Sequence, residues 1–266
     1  MAFAAIAVGT FTSVADMGST VVALPTIANH FAIDLPTTQW GVIGYSLTIS
    51  ALLLPMGRLS DIVGRKQLYV LGFFIFASGA IISSLAGSIM ILIIARICMG
   101  LGAAMTQGTG MAMIVSSFPA SKRGRVLGLS MSVVGLGGVV GPSMGGFVIG
   151  AFGWRAIFII TALLSSLAML VASTFIPSVG KDGSLKPIKF DWLGAVLSSF
   201  VLVTFLLAMT YGPKIGWNSS FTIVGFLLPS VLAALFIWWE LRVEDPMLDV
   251  RLFKRKLFFM GVTAGF

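Results

Sequence analysis

The chain has 266 residues, of which 58% are hydrophobic and only 10% are charged, and its mean hydropathy is +1.05. Soluble domains carry about 25% charged residues, so this chain has too little polar surface for a water-facing globule and is predicted to lie in lipid. The net charge of +8 does not indicate a nucleic-acid partner, because Lys and Arg occupy short gaps between apolar runs.

The chain offers few residues for metal binding or catalysis. A single cysteine, Cys98, excludes an internal disulfide, and a single histidine, His30, argues against a His-based metal site. With one His, one Cys and one clear intramembrane carboxylate, the chain lacks the residue set of an intramembrane enzyme. We therefore expect no enzyme activity, no cofactor and no bound metal. The start of the chain does not have the features of a cleaved signal peptide.

Eight apolar runs are long enough to cross a bilayer as helices, which takes about 18–25 residues. They cover residues 3–25, 39–57, 68–88, 90–117, 126–150, 153–176, 191–211 and 220–240, and a ninth begins near Leu257 and is cut off at Phe266. The runs are continuously apolar and lack the alternation of barrel strands. The sequence therefore predicts an all-α membrane protein with eight full spans and a truncated ninth.

The basic residues are distributed unevenly between the gaps. Fourteen of the 17 Lys and Arg residues lie in four gaps, 58–67, 119–125, 177–190 and 241–256. The alternate gaps hold only Arg155 and Lys214. Because positively charged loops stay in the cytoplasm, this pattern predicts a multi-pass protein of the plasma membrane with a cytoplasmic N-terminus.

The gap 177–190 is the longest polar linker before residue 241 and separates six spans from two. We place a domain boundary there, so that residues 1–177 form an N-terminal six-helix transmembrane bundle. Six spans suit a three-plus-three inverted repeat with halves near 1–88 and 89–177, although the residues do not show such a repeat convincingly.

Two ionisable residues lie well inside the spans, Asp16 in the first and Arg96 in the fourth. An intramembrane charge costs at least about 2.5–3.5 kcal/mol, so such residues face the bundle interior and usually have a function. Their depths agree within roughly one helical turn, so they can pair or share waters. A proton or substrate pathway and a structural ion pair that locks two helices both fit this placement.

Further polar side chains extend these two positions into a candidate pathway. Thr12, Ser19 and Thr20 share a helix face with Asp16, which favours a water-accessible cavity. Gln107 extends the face of Arg96 inward.

The gap after the second span reads GRLSDIVGRK over residues 57–66. Its Gly spacing indicates a short turn, and Asp61 can either cap a helix N-terminus or pair with an Arg of a neighbouring helix. An ordinary positive loop explains the basic residues but not the spacing of Gly and Asp.

The fifth span contains GGVVGPSMGG over residues 137–146. Gly137, Gly141 and Gly145 form one groove that lets a second helix approach closely, and Pro142 can bend the helix. This combination suits a helix that rocks against a neighbour, and plain helix packing is the alternative. The embedded G-x-S-x-G pattern does not indicate a hydrolase, because it lies within a membrane span.

Aromatic residues cluster near the predicted ends of the spans. We interpret them as membrane-interface anchors rather than cation-binding aromatics; they are Trp40, Tyr45, Trp154, Trp192, Trp217, Trp238 and Trp239.

Four of these segments together resemble the major facilitator superfamily. Residues 57–66 are similar to its loop signature G-x-L-x-D-x-x-G-R-K, and residues 137–146 to its antiporter signature G-x-x-x-G-P-x-x-G-G, both complete. Residues 95–100 resemble the helix-four signature R-x-x-Q-G, with Met99 in place of Gln. Residues 16–25 resemble the helix-one signature of the 14-span drug:proton antiporter branch, with Val21 where Asn is frequent.

The resemblance implies a fold and a domain plan. It implies the six-helix N-terminal bundle of the major facilitator fold, followed by two inserted helices with cytoplasmic loops in residues 178–256. Residues 257–266 then begin a C-terminal bundle, and this chain lacks the remainder of that bundle.

The resemblance also implies roles for the motif residues. Asp16 matches a residue of proton coupling or cationic substrate recognition, and Arg96 matches the helix-four arginine linked to proton transfer. The motif of Gly57, Asp61, Gly64, Arg65 and Lys66 matches a cytoplasmic gate. The motif of Gly137, Gly141, Pro142, Gly145 and Gly146 matches the pliable centre of an antiporter helix.

The function that follows is a proton-coupled antiporter that exports small lipophilic or cationic compounds, with the lipid bilayer, its substrate and protons as partners. A nutrient or metabolite facilitator of the same superfamily and a truncated product without transport activity are the alternatives.

Overall fold

The structure is a computed structural model that describes residues 2–176 and 190–250, together with Leu252 and Met260. The α-helices of these residues are α1 (Ala2–Phe31), α2 (Leu35–Thr38), α3 (Trp40–Val63), α4 (Arg65–Ser84), α5 (Ile89–Ser117), α6 (Ala120–Phe152), α7 (Arg155–Phe175), α8 (Trp192–Ile215) and α9 (Ser220–Glu240). All of them except α2 are long and apolar enough to cross a membrane, which gives eight candidate spans. The prediction of an all-α membrane protein with eight full spans is confirmed. The predicted ninth span lies outside the described residues, apart from Met260.

The helices extend beyond the apolar runs that predicted them. Helix α3 includes Arg58 and Asp61, and α6 begins before Lys122, so both reach into gaps that were predicted as loops. Each added residue of a helix gains one backbone hydrogen bond, so a helix continues past the apolar boundary until a residue stops it. The short helix α2 was not predicted. The Asp34 side chain caps its N-terminus by accepting a hydrogen bond from the backbone N–H of Thr37 at 3.4 Å.

The chain divides into two compact units, residues 1–184 and 185–266. The predicted linker 177–190 lies almost entirely outside the described residues, so the proposed domain boundaries stay predictions.

The helices of the first unit pack in an order that the sequence does not reveal. Neighbouring helices follow the order α3, α5, α4, α7, α1, α6, and α1 also contacts α5. The first three spans can be exchanged with the last three, α1 with α5, α3 with α6 and α4 with α7. This exchange gives the same order of neighbours, read in reverse. The packing therefore has the symmetry of a three-plus-three repeat.

Glycines allow the closest helix approaches in this unit. A methyl group on Gly108 of α5 would lie 2.9 Å from the carbonyl oxygen of Leu53 and 3.0 Å from the backbone nitrogen of Gly57, both on α3. On the other side of α5, a methyl group on Gly102 would lie 2.5 Å from the carbonyl oxygen of Gly72 on α4. Helix α5 is thereby held in backbone contact with two neighbours.

The second unit is a helical hairpin of α8 and α9. The Asp191 carboxylate caps α8 by accepting from the backbone N–H of Gly194 at 2.9 Å, and it also accepts from Trp239 Nε1 at 3.0 Å. Because this contact joins the start of α8 to the end of α9, the two helices are antiparallel. Their bounds agree with the predicted spans 191–211 and 220–240.

Candidate functional site

The two intramembrane charges form a buried ion pair between α1 and α5. Arg96 Nη1 donates to Asp16 Oδ2 at 2.6 Å, and neither side chain is exposed. The sequence predicts similar membrane depths for these two residues, and in the structure they are in direct contact. A charge-assisted hydrogen bond between fully buried groups is strong, and each member would be costly to leave unpaired.

Helix α3 supplies a second set of contacts to Arg96. Arg96 Nε donates to the carbonyl oxygen of Gly41 at 3.3 Å, and its guanidinium carbon lies 4.3 Å from the ring centroid of Tyr45. A cation placed over an aromatic face is attracted by the electrons of the ring. The guanidinium is thus held from two sides, by the Asp16 carboxylate of α1 and by α3.

This arrangement corrects the interpretation of two aromatic residues as interface anchors. Tyr45 is only 1% exposed and contacts a cation. Trp154 is buried as well, and the guanidinium carbon of Arg155 lies 4.4 Å from its ring centroid. The prediction was wrong because both residues lie near span ends in the sequence, while both rings are buried, that of Tyr45 against Arg96 inside the bundle and that of Trp154 against Arg155 at the start of α7.

Helix α7 holds the second oxygen of the Asp16 carboxylate. Thr161 Oγ1 donates to Asp16 Oδ1 at 3.1 Å, and Thr161 is buried. No local pattern in the sequence indicates this residue, because a threonine in an apolar span is common. Only the packing of α7 against α1 brings it to the carboxylate.

The polar stripe beside Asp16 does not line an open cavity in this structure. Thr20 Oγ1 donates to the backbone carbonyl of Asp16 at 2.8 Å, Thr12 Oγ1 to Val8 at 2.8 Å, and Ser19 Oγ to Gly141 at 2.7 Å. All three hydroxyls are buried. Backbone carbonyls accept from these hydroxyls, which allows the hydroxyls to pack between helices, and the expected water-accessible face stays a prediction.

Gln107 does not join the Asp16–Arg96 pair. It is exposed on α5, three helical turns from Arg96, and the structure does not bring it to the carboxylate. Its predicted place in the pathway stays a prediction.

Two buried polar atoms beside the ion pair, Arg96 Nη2 and Tyr45 Oη, have no hydrogen-bond partner among the residues that the structure describes. Most buried polar atoms in folded proteins are paired, so two unpaired atoms in one cluster are unusual. The cluster therefore keeps hydrogen-bonding capacity that a change of partner can use.

The predicted gate motif forms a second ion pair where α3 meets α4. Arg65 donates to Asp61 Oδ1 from Nη2 at 2.9 Å and from Nε at 3.1 Å, and its Nη1 donates to the carbonyl oxygen of Ala112 on α5 at 3.2 Å. Of the two roles open to Asp61, the structure shows pairing with an arginine. The turn between the helices consists of Gly64, whose φ of +114° is a conformation that other residues rarely adopt.

The predicted glycine groove of α6 packs directly against α1. Added methyl groups would lie 3.0 Å from Val14 Cβ at Gly137, 2.6 Å from the Ala15 carbonyl oxygen at Gly141, and 2.8 Å from Ser19 Cα at Gly145. Gly146 lies beside this line, and its nearest such neighbour is 4.0 Å away. The groove is a close backbone contact, as small residues in membrane helices permit.

Pro142 strengthens the same contact. A methyl group on Gly18 would lie 2.7 Å from its Cδ, so the ring of Pro142 fills the space beside a glycine of α1. The segment of α1 that packs against α6 runs from Val14 to Ser19 and therefore includes Asp16.

Among the described residues, no group of three or more His, Cys, Asp or Glu side chains is arranged to hold a metal ion. In the described part of the first unit, the buried charged groups are the carboxylate of Asp16 and the guanidinium of Arg96.

Fold and site together define a class of protein. Eight apolar helices, a symmetric six-helix unit and a buried ion pair between its two halves are typical of secondary membrane transporters. The sequence model of the Major Facilitator Superfamily matches residues 6–263, and the chain belongs to this family. Because the family and its relatives are transporters, the expectation that the chain is not an enzyme is confirmed.

Several relatives of known name match nearly the whole chain. It is 34% identical over 260 residues to the riboflavin transporter RibZ of Clostridioides difficile (strain 630), covering 98% of this chain and 55% of RibZ. It is 32% identical over 244 residues to the multidrug resistance protein Stp of Mycobacterium tuberculosis (strain CDC 1551 / Oshkosh), covering 91% and 45%. The methylenomycin A resistance protein of Streptomyces coelicolor is 29% identical, with 98% and 54% covered. The chain spans about half the length of these relatives.

Solved transporter structures share the fold. A peptide transporter POT superposes with a TM-score of 0.65 at 14% identity, covering 91% of this chain and 52% of that one. A bacterial homologue of the human lysosomal transporter Spinster superposes with a TM-score of 0.54 at 17% identity, covering 88% and 59%.

Proposed function

We propose that the chain is the N-terminal half of a proton-coupled antiporter that exports small lipophilic or cationic compounds, in the 14-span branch of its family. The observation that carries this proposal is the fully buried pair of Asp16 and Arg96, which joins the two halves of the six-helix unit. The names of two relatives, a multidrug resistance protein and a methylenomycin A resistance protein, support export of drug-like compounds.

Proton binding to Asp16 removes the ion pair in this scheme. A neutral carboxyl group no longer attracts Arg96, whose guanidinium keeps the carbonyl oxygen of Gly41 and the ring of Tyr45 as neighbours on α3. The unpaired Nη2 can then take a new acceptor. Loss of the proton restores the attraction between α1 and α5. The charge of Asp16 thereby biases two arrangements of these helices.

The glycine groove gives this change a mechanical consequence. Ala15 and Ser19, which flank Asp16 on α1, contact Gly141 and Gly145 of α6 through backbone atoms. A rotation or shift of α1 must therefore move α6 or open the groove. At the predicted cytoplasmic end, Arg65 joins α4 to Ala112 of α5, so movement of α5 also acts on the gate motif.

A second candidate function is uptake of a metabolite. The specific observation in its favour is the 34% identity to a riboflavin transporter, which is a higher identity than that to Stp. Both functions use the same fold, and the direction of net transport separates them.

A third possibility is that this chain transports nothing without a second bundle. Because it spans about half of its relatives, we propose that one wall of the transport path is supplied by residues beyond the chain. Proteoliposomes that contain the 266-residue chain alone are expected to show no gradient-driven flux, and flux in them would contradict this part of the proposal.

The decisive experiment uses the protein extended by its downstream coding sequence, reconstituted in proteoliposomes with an imposed pH gradient. Export of a lipophilic cation is expected to follow the gradient and to be lost in Asp16→Asn. The matched control is Asp34→Asn, which changes an exposed carboxylate outside the spans and should keep transport. Unchanged gradient-driven export in Asp16→Asn would show that Asp16 does not couple protons. Net accumulation of riboflavin would favour the uptake function instead.

A further inference from the structure

A groove of about 590 Å³ runs between α4 and α7, away from the Asp16–Arg96 pair. Its lining comes from the first turns of α4 and the last turns of α7, and consists of Lys66, Gln67, Val70, Leu71, Phe74, Met169 and Ser173. The proposed proton coupling and the ion pair of Asp61 and Arg65 do not use it, and Lys66 is the one member of the gate motif that lines it.

The lining changes from polar to apolar along the groove. Lys66 and Gln67 lie in the first turn of α4 and Ser173 in the last turn of α7, whereas the remaining residues are apolar and lie deeper in the span. Val70 and Met169 pack against the buried core and form the floor. Leu71 and Phe74 are 46% and 57% exposed and form a wall.

The length of this gradient matches one leaflet of a bilayer. From Lys66 to Phe74 the helix rises about 12 Å at 1.5 Å per residue. The hydrocarbon of one leaflet is about 15 Å deep, half of the bilayer core. An acyl chain that lies in the groove therefore places its headgroup at Lys66.

The polar end of the groove carries a net positive charge. Lys66 makes no ion pair among the residues that the structure describes, and the nearby carboxylate of Asp61 is already paired with Arg65. Lys66 also lies in the first turn of α4, where the helix dipole is positive. This charge complements an anionic headgroup, and basic pockets between membrane helices commonly bind such lipids.

We propose that this groove binds one anionic phospholipid, with an acyl chain over Val70 and Met169 and its phosphate at Lys66. The proposal rests on the membrane-spanning fold but not on proton coupling. A failure of the Asp16 experiment would therefore leave it standing, and its own failure would leave the transport proposal standing.

The test counts lipids that stay bound to the purified protein in native mass spectrometry, with phosphatidylglycerol and phosphatidylcholine of equal chain length titrated separately. We expect one phosphatidylglycerol to bind more tightly than phosphatidylcholine. Lys66→Gln should weaken phosphatidylglycerol binding about fivefold and leave phosphatidylcholine binding unchanged, because one lysine near an anionic surface contributes about that factor. Lys66→Arg should retain the preference. Lys122→Gln, which removes an exposed lysine from the start of α6, is the matched control and should have no effect.

A second variant tests the contribution of the groove to lipid binding separately from that of the Lys66 charge. Ser173→Trp places a ring among the lining residues and should weaken the binding of both lipids, whereas glycerol phosphate without acyl chains should not compete in the unmodified protein. Equal affinity for the two lipids, or an unchanged preference in Lys66→Gln, would overturn the proposal. A groove filled by a second copy of the chain would appear as a dimer that Ser173→Trp dissociates, and that result would also overturn it.

Discussion

At the scale of single residues, the balance of charge around Arg96 determines the stability of the interior. Removing one member of a buried ion pair costs about 3–5 kcal/mol, because it leaves an uncompensated charge, whereas replacing both by apolar residues is often neutral. Asp16→Ala should therefore destabilise the protein strongly, and Asp16→Leu combined with Arg96→Met should recover most of the loss. Unfolding in detergent micelles measures this, and additive losses in the double variant would contradict the buried pairing.

Tyr45 offers a matched pair of substitutions beside the same guanidinium. Tyr45→Phe keeps the ring over Arg96 and removes a hydroxyl that bonds to none of the described residues, so its free energy of unfolding should be unchanged or slightly higher. Tyr45→Leu loses the cation–π contact, which contributes about 2 kcal/mol when desolvated, and should unfold at lower temperature. Equal unfolding temperatures for the two variants would show that the ring does not stabilise Arg96.

Residue types indicated where charge lies in the span, but not every residue that touches it. Asp16 and Arg96 could be predicted because an intramembrane charge is costly and therefore rare. Thr161, Tyr45 and the carbonyl of Gly41 could not be predicted, because they reach the pair from two other helices. Their contribution depends on the rotation of those helices, which one sequence does not specify.

At the scale of helices, the contact between α1 and α6 depends on the absence of side chains. Gly141→Ala places a methyl group 2.6 Å from the Ala15 carbonyl oxygen and should push the two helices apart. Gly138→Ala, three residues away, adds a methyl group to open space and should stabilise α6 by about 1 kcal/mol through helix propensity. The pair is compared by thermal unfolding and by the yield of a disulfide between cysteines placed at Val14 and Gly137. Equal effects of both substitutions would show that the groove makes no tight contact.

The bounds and packing of the helices were only partly predictable. Hydropathy located all eight spans, because lipid requires a long apolar run for each of them. It did not locate the ends of the helices. Helix α3 extends past Arg58 and α6 begins before Lys122, so both include polar sequence. The neighbour order of the six-helix unit was also out of reach, because apolar residues face both lipid and other helices and give no pattern that distinguishes them.

At the scale of the whole molecule, the orientation in the membrane is open to direct measurement. In a Cys98→Ser background, a cysteine at Ser121 should lie in the cytoplasm and one at Asn218 outside, because the first belongs to a basic gap and the second to an alternate gap. A membrane-impermeant maleimide applied to intact cells should label only the second variant, and both should react after the cells are opened. Labelling of Ser121→Cys in intact cells would show that the orientation is opposite to the predicted one.

The placement of Asp16 on the turns of α1 that receive α6 has a consequence for inhibition. If the spacing of these helices and the charge of the carboxylate are coupled, thermodynamic reciprocity requires that each alter the other by the same factor. A hydrophobic compound that wedges between α1 and α6 from the lipid side would then disturb the pairing of Asp16 with Arg96 without competing for the substrate. Such a compound would act as a non-competitive blocker.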